Sequence, residues 1–567
     1  MCAELRLPAD RRDTPSVPPF RGEALTLSAA LRERLTRPGP GLLLFLLVLA
    51  AMIVASVSAS RGIRQFSGAV ETPIACDDFG YLRQAQLFRQ AGLLRGLDTE
   101  IGDAVTRALI GALKASGLPP RGWQEPVAPH CHHYKPSVDK VVLQYPPGTG
   151  FLLAPWPEGQ QSRIVARLSA LFILAVLIAV MVRARSAWVP VLAAGLAVIC
   201  FVTLGRFGWS MSIGPSVAFA FALGYIAAAR LDFTDLQSGW RWHALAGLLL
   251  GLAADVRIPN LFMVAGFAAC YGVAWLWRPS LRGLAAPMAF GAALIAGLMP
   301  VLAANWINAG GPFNTTYSAV DAAHPVLDWA VLQGGLRAFF VDMPLSGRTI
   351  LLGAAPPVVL AIVLLRRFEM RAAMALLAAA VNLVSNVGYF VLHDPRAPYY
   401  PVPVAVFAAS AATFALIGIA RPGAAAAGWR RWRVIAGALC FAVTCIAVAR
   451  MSIPVSPLFR DATLHRAFDP RTIVWADLKT GFFHYFQGRQ ASKLPTVGAG
   501  GEDPIIAAAG RLGVTQVAVA DSPRMAELVR RLQAEGRAAP AGRAYGDDVF
   551  IVCPVRMAGT QCPASAP

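Results

Sequence analysis

Apolar residues run along this chain in long unbroken stretches separated by short charged connections. A helix needs roughly 20 apolar residues to cross a bilayer. Eleven stretches approach that length: Gly41–Ala59, Ile164–Val182, Ala187–Leu204, Met211–Ala229, His243–Ala254, Pro259–Trp277, Leu284–Ala304, Thr349–Leu365, Ala372–Leu392, Pro398–Ala420 and Val434–Ala449. The fifth is short and meets the sixth through Asp255-Val256-Arg257. A span broken by charge and proline survives only where protein or a wet cavity surrounds it.

Two polar stretches have patterns of their own. From Ser60 to about Arg163 the chain leaves the apolar rhythm for longer than a plain connector needs, and long loops tend to be functional. Within it Tyr81, Ala85, Phe88 and Gly92 recur at helical spacing over Asp78–Leu94, and Ile101, Val105, Leu109 and Ala112 mark a second amphipathic segment. Two such helices suit a membrane interface, apolar faces down. In the tail, Thr472–Ala476, Gln516–Ala520 and Val549–Val552 read as strands, with Pro504–Leu512 and Arg524–Glu535 as helices between them. Alternation of this kind predicts a small α/β unit. The predicted fold is an all-α polytopic membrane protein of about eleven transmembrane helices with a small α/β extracytoplasmic C-terminal domain. Residues 1–40 form a basic, disordered cytoplasmic leader. Residues 41–451 form the transmembrane domain, including the outer loop 60–163, and residues 452–567 the tail domain.

Composition agrees, with hydrophobic residues at 56% and charged residues at 15%, too apolar for a soluble chain of this length. Charge then orients it. With the amino terminus inside, the short inner connections carry thirteen arginines and the short outer ones three, Arg206, Arg257 and Arg396. That asymmetry is the positive-inside pattern. The net charge of +19 therefore reports topology and anionic headgroups, not nucleic acid, for which no motif is present. Of nine cysteines, Cys76, Cys131, Cys553 and Cys562 fall in outer segments, where disulfides and free thiols are both open readings.

The acidic pair Asp77-Asp78 opens the outer loop. One acid before a helix is an ordinary N-cap. Two at the mouth of a membrane protein also suit general-base chemistry, because charge there is costly and tends to be functional. His132 and His133 are adjacent, without a convincing third metal ligand. The sequence names no cofactor and leaves a divalent cation open.

Motifs strung along the chain resemble a family. The acidic pair, the Lys135-Pro136 step and Tyr145–Trp156 (YPPGTGFLLAPW) look like the first outer loop of the GT-C superfamily of integral-membrane glycosyltransferases. Protein O-mannosyltransferases and the lipid A aminoarabinose transferase belong to it. Gly247–Asn260, Asn305–Tyr317, Arg396–Pro403 and Trp475–Arg489 resemble later landmarks in the same order. The chain departs from many relatives in carrying Asp78 where they have Glu, and Ser137 after Lys135-Pro136.

The resemblance implies transfer of a sugar from a polyprenyl-phosphate donor to an extracytoplasmic acceptor, protein, lipid or glycan, with inversion at the anomeric carbon. It also implies residence in a bacterial inner membrane. Asp77 matches the family's catalytic acid, with Asp78 as a second candidate. A lipid-phosphate leaving group needs waiting cations, and Lys135, Arg257 and Arg396 all fall on the outer side. Arginine suits phosphate through its bidentate fork. Arg257 could instead pair with Asp255, and Arg396 with Asp394. His132, His133, Tyr145, Tyr317 and Tyr399 are candidate sugar or headgroup contacts, as is Tyr400, although aromatic residues also anchor membrane interfaces. The competing class is a transporter or flippase for a lipid-linked or anionic substrate, with Arg257 lining a path beside the broken span.

Overall fold

The computed structural model describes residues 76–183, 210–237, 239–317, 329–342, 358–359, 370–392, 400–417, 472–477, 479–487, 491–492, 502–544 and 546–554. The predicted spans at 41–59, 187–204 and 434–449, most of that at 349–365, and the leader lie outside these residues.

Helix α1 (Cys76–Arg95) opens with Asp77 and Asp78 in its first turn, where negative charge meets the positive end of the helix dipole. A kink at Gly92, with φ of 81°, bends its end. Helix α2 (Ala104–Lys114) is capped by Asp103, whose carboxylate accepts from the Thr106 amide at 2.9 Å. A hairpin follows, β1 (His132–Lys135) antiparallel to β2 (Lys140–Leu143). Helix α3 (Pro147–Leu153) then leads toward the membrane.

The bundle comprises α4 (Gln161–Arg183), α5 (Ile213–Ala229), α6 (Trp240–Val256), α7 (Val264–Trp277), α8 (Ala285–Ala309), α9 (Trp329–Arg337), α10 (Met370–Leu392) and α11 (Val402–Ile417). The segments Ile258–Trp277, Leu281–Ala309 and Met370–Leu392 are long and apolar enough to cross a membrane, and Ile164–Leu177, Ile213–Ala229 and Val402–Ala415 are shorter apolar helices. The chain breaks where the charged tripeptide predicts it. Helix α6 ends at Val256, Arg257 is extended (φ −157°, ψ 114°), and a 3-10 turn over Ile258–Met263 carries the chain into α7.

Backbones approach closely in this bundle. A Cβ on Gly251 would sit 2.8 Å from the Gly297 Cα, and one on Gly297 would sit 2.6 Å from the Leu248 carbonyl oxygen. Only glycine admits that contact between α6 and α8. Close approach of small residues is how helices adhere where no hydrophobic effect drives them together.

The tail contains β3 (Ile473–Trp475), α12 (Thr480–Gln487), β4 (Ala491–Ser492), α13 (Asp503–Gly510), β5 (Gln516–Val519), α14 (Pro523–Ala534), β6 (Ala538–Ala544) and β7 (Asp547–Val552). Its sheet runs β4-β3-β5-β7-β6, with β3 parallel to both neighbours and β7 antiparallel to both of its own.

The tail and the outer loop share one core. Leu109, Ile110 and Leu113 of α2 and Trp123 pack with Ile473, Trp475, Ile505, Ile506 and Leu528. This corrects the expectation of an interfacial helix, because the apolar stripe of α2 is covered by the tail and not by lipid. The stripe of α1 is likewise covered by protein, with Tyr81, Ala85 and Phe88 packed against Leu143, Tyr145 and Leu153. Gly92, assigned to that stripe, is exposed at the kink. The adjacent face of α1, Phe79 and Leu82, meets Val474, Phe483 and Val517 of the tail.

Candidate active site

The two adjacent acids take different partners. Asp78 is buried, and its Oδ1 accepts from the Met211 amide at 3.0 Å, two residues before α5. Asp77 is half-buried and accepts the phenol proton of Tyr145 at Oδ1. The Tyr145 hydroxyl oxygen also lies 2.8 Å from the Cys131 sulfur. Cys131 and Cys553 are each disulfide-bonded.

Around Asp77 stands a wall of phenols. Tyr81 follows it by one helical turn, and the Tyr81 and Tyr145 ring centroids lie 4.6 Å apart. Tyr317 meets Tyr145 edge to face at 6.5 Å. Lys135 donates from Nζ to the Tyr317 carbonyl. Arg257 is buried. Its guanidinium covers the face of Tyr400 at 4.5 Å, a cation–π arrangement, and Nη1 donates to Ser212 Oγ at 3.3 Å. Arg257 does not pair with Asp255. Asp255 Oδ1 is buried without a hydrogen-bond partner among the described residues.

Burial pushes the phenols of Tyr81, Tyr145 and Tyr317 upward, reinforced by the Asp77 charge on Tyr81 and Tyr145 and by Tyr81 on Tyr317, while Arg257 pulls back on Tyr81 and Tyr317. All three are neutral donors at any working pH. Asp77 meets Tyr145, whose ring joins Tyr81 and Tyr317, and the charges of Asp77 and Arg257 both reach Tyr81 and Tyr317.

The histidines stand elsewhere. His133 Nε2 lies 2.6 Å from Gln144 Oε1. His132 is buried, its Nδ1 3.2 Å from the His130 carbonyl and its ring edge to face with His484 of the tail at 4.9 Å. Burial, with His484 second, holds His132 well below the usual imidazole range, so it stays neutral. Among the described residues no group of three His, Cys, Asp or Glu side chains converges to hold a metal. Arg396 and Tyr399 lie outside the described residues, while Tyr400 is placed beside Arg257.

Sequence reasoning did not assign Tyr81 and Ser212 to this cluster. Tyr81 carried a signal, since four residues after Asp77 is the same helix face. It read instead as part of an apolar stripe. Ser212 carried none, because its proximity comes from packing between helices.

No family model matches the chain, and no curated protein matches it. Among solved structures it is similar to ArnT from Cupriavidus metallidurans in the apo state, at 12% identity over 91% of this chain and 99% of that chain, with a TM-score of 0.48. ArnT bound to undecaprenyl phosphate gives 13% identity over the same shares and a TM-score of 0.42. The oligosaccharyltransferase AglB from Archaeoglobus fulgidus, in complex with an inhibitory peptide and a dolichol-phosphate, gives 12% over 92% of this chain and 75% of that chain, with 0.38. At these identities and scores, the likeness carries no residue's role across.

Proposed function

We propose that this chain is a membrane glycosyltransferase that moves a sugar from a polyprenyl-phosphate donor to an extracytoplasmic acceptor, with inversion. The carrying observation is the cluster in which Asp77, held by Tyr145, and buried Arg257 share one tyrosine-lined wall. Asp77 takes the proton from the acceptor hydroxyl or amine as that atom bonds to the anomeric carbon. The bond from that carbon to the phosphate oxygen breaks, and the lipid phosphate leaves with its electron pair. Arg257 meets the growing phosphate charge, with Lys135 and Arg396 as further cations. A single displacement inverts the anomeric centre. The neutral phenols of Tyr81 and Tyr317 supply donors that cannot repel the phosphate. His133 and Tyr399 remain candidates for sugar or headgroup contact. The burial of His132 against His484 favours a docking role for it.

The reading includes an orientation, with the amino terminus cytoplasmic, about eleven spans, and the loop and tail on the outer face of a bacterial inner membrane. Purified protein incubated with a panel of polyprenyl-phosphate sugars should release polyprenyl phosphate. The helix break at Arg257 keeps one other reading, a transporter or flippase. Movement of an intact lipid-linked substrate across a vesicle membrane without any transfer would favour it.

A further inference from the structure

We propose that Tyr145 is the positioning residue for Asp77, fixing the orientation in which its carboxylate meets the acceptor. This rests on the reading of Asp77 as the general base. Tyr145 is buried and held from every side. Its backbone leaves the β1–β2 hairpin, where the Gln144 amide donates to the Cys131 carbonyl at 3.1 Å and the Gln144 carbonyl accepts from Thr316 Oγ1 at 2.7 Å. The next residue, Pro146, has its φ fixed by its ring and leads into α3. The Tyr145 ring lies against Tyr81 on one side and meets the edge of Tyr317 on another. On α1 it lies over Gly80, where a Cβ would come 2.7 Å from Tyr145 Cδ2 and 2.9 Å from Leu143 Cδ1. The glycine that ends the DDFG step is thus a gap cut for this ring, one turn of helix from the base. The hydroxyl at the end of the ring meets Asp77 Oδ1 and the sulfur of Cys131, which its disulfide holds in place. The hydrogen bond from this hydroxyl restricts the rotation of the Asp77 carboxylate. A buried phenol that stays protonated is a permanent donor to it.

Tyr145→Phe keeps the ring and its packing and removes only the hydroxyl. Its kcat should fall roughly 10-fold or more, the worth of a hydrogen bond to a charged group, with KM for the donor unchanged. In an Asp77→Asn background the same change should cost nothing further, because there is no base left to orient. Gly80→Ala reaches the contact from the other side. It should lower kcat without raising the donor KM, and it serves where the melting of Tyr145→Phe shows a loss of fold. Full kcat in Tyr145→Phe, beside an inactive Asp77→Asn, overturns the proposal alone. So does a loss confined to donor KM, or an equal loss in both backgrounds, since either marks a substrate contact. An active Asp77→Asn overturns the base and the proposal together. A wild-type chain that releases polyprenyl phosphate from no donor overturns the transfer reading, and the proposal with it.

Discussion

The membrane bundle and the layer formed by the outer loop and tail are held together by opposite means. In the bundle, backbones touch at glycines such as Gly251 and Gly297, and two interior asparagines bond to backbone groups. Asn260 donates to the Ala253 carbonyl at 2.7 Å, and Asn382 accepts from the Gly266 amide at 2.7 Å. In the other layer Trp475, Phe483 and Leu113 fill a conventional core, rimmed by ion pairs such as Arg531 with Glu502 at 2.9 Å. Ion pairs occur in that layer and at helix ends. Lipid removes the hydrophobic drive between helices, so shape must replace it. Water restores that drive and screens the charges. Asp77, Tyr145, Arg257 and Tyr317 lie on the seam between the two regimes.

The sharpest way to break this picture is at the seam. Asp77→Asn should lower transfer by roughly 10²-fold or more with little change in melting, since it removes the proposed base and keeps the shape. Asp78→Ala should do the reverse. It strands the part-buried Met211 amide, so stability should fall by about 1–3 kcal/mol while the active fraction keeps its turnover. Equal effects of the two changes on turnover would erase the distinction between them.

Arg257 comes next. Arg257→Ala should cost roughly 10²-fold to 10³-fold in turnover, and Arg257→Lys less, because charge survives without the fork. A double change with Asp255 should not rescue activity, since the two make no ion pair. Rescue would reinstate a structural pairing.

Much of this was legible in the chain. Apolar length located the helices, and Asp255-Val256-Arg257 located the break because charge next to proline cannot continue a lipid-facing helix. The α2 stripe was legible as a helix face but not its covering. Periodicity reports that a face is apolar, and says nothing of whether lipid or protein meets it. Helix α12 was missed because TGFFHYFQ, rich in aromatics and with glycine at its second position, has weak helix propensity. Strand β6, AAPAGRA, was missed because proline and glycine suit only an edge strand. The partnership of Asp78 with Met211 crosses 133 residues and leaves no local trace.

A third test strikes the bundle itself. Gly251→Leu drives a side chain into the α8 backbone, which cannot yield as a side chain would. Melting should fall by about 3 kcal/mol or more, at the severe end of overpacking. Hydrogen exchange should loosen first in residues 247–256 and 290–300, while the tail sheet keeps its protection. Loosening of both regions together would mean that they unfold as one unit.

The smallest effect is the most specific to the other layer, because it depends on a titrating group. Asp521 closes β5, and its two oxygens accept from the Asp477 amide at 3.0 Å and the Lys479 amide at 2.6 Å, anchoring the turn that starts α12. Burial, opposed by those two amides, pushes its carboxyl up from 3.8 to about 6. A raised acid binds its proton more tightly folded than unfolded. Its contribution to stability is therefore full below about pH 3.8 and is lost as pH rises through about 6. That gap corresponds to about 2–3 kcal/mol. Asp521→Asn cannot titrate, so the stability of the variant relative to wild type should rise between pH 4 and pH 7 by up to that amount. Hydrogen exchange of residues 473–475 and 516–519 in the intact protein would read it. Exchange in residues 247–256 should give the same difference at both pH values. A relative stability of the tail that stays flat with pH would show that the Asp477 and Lys479 amides fully offset the burial of Asp521.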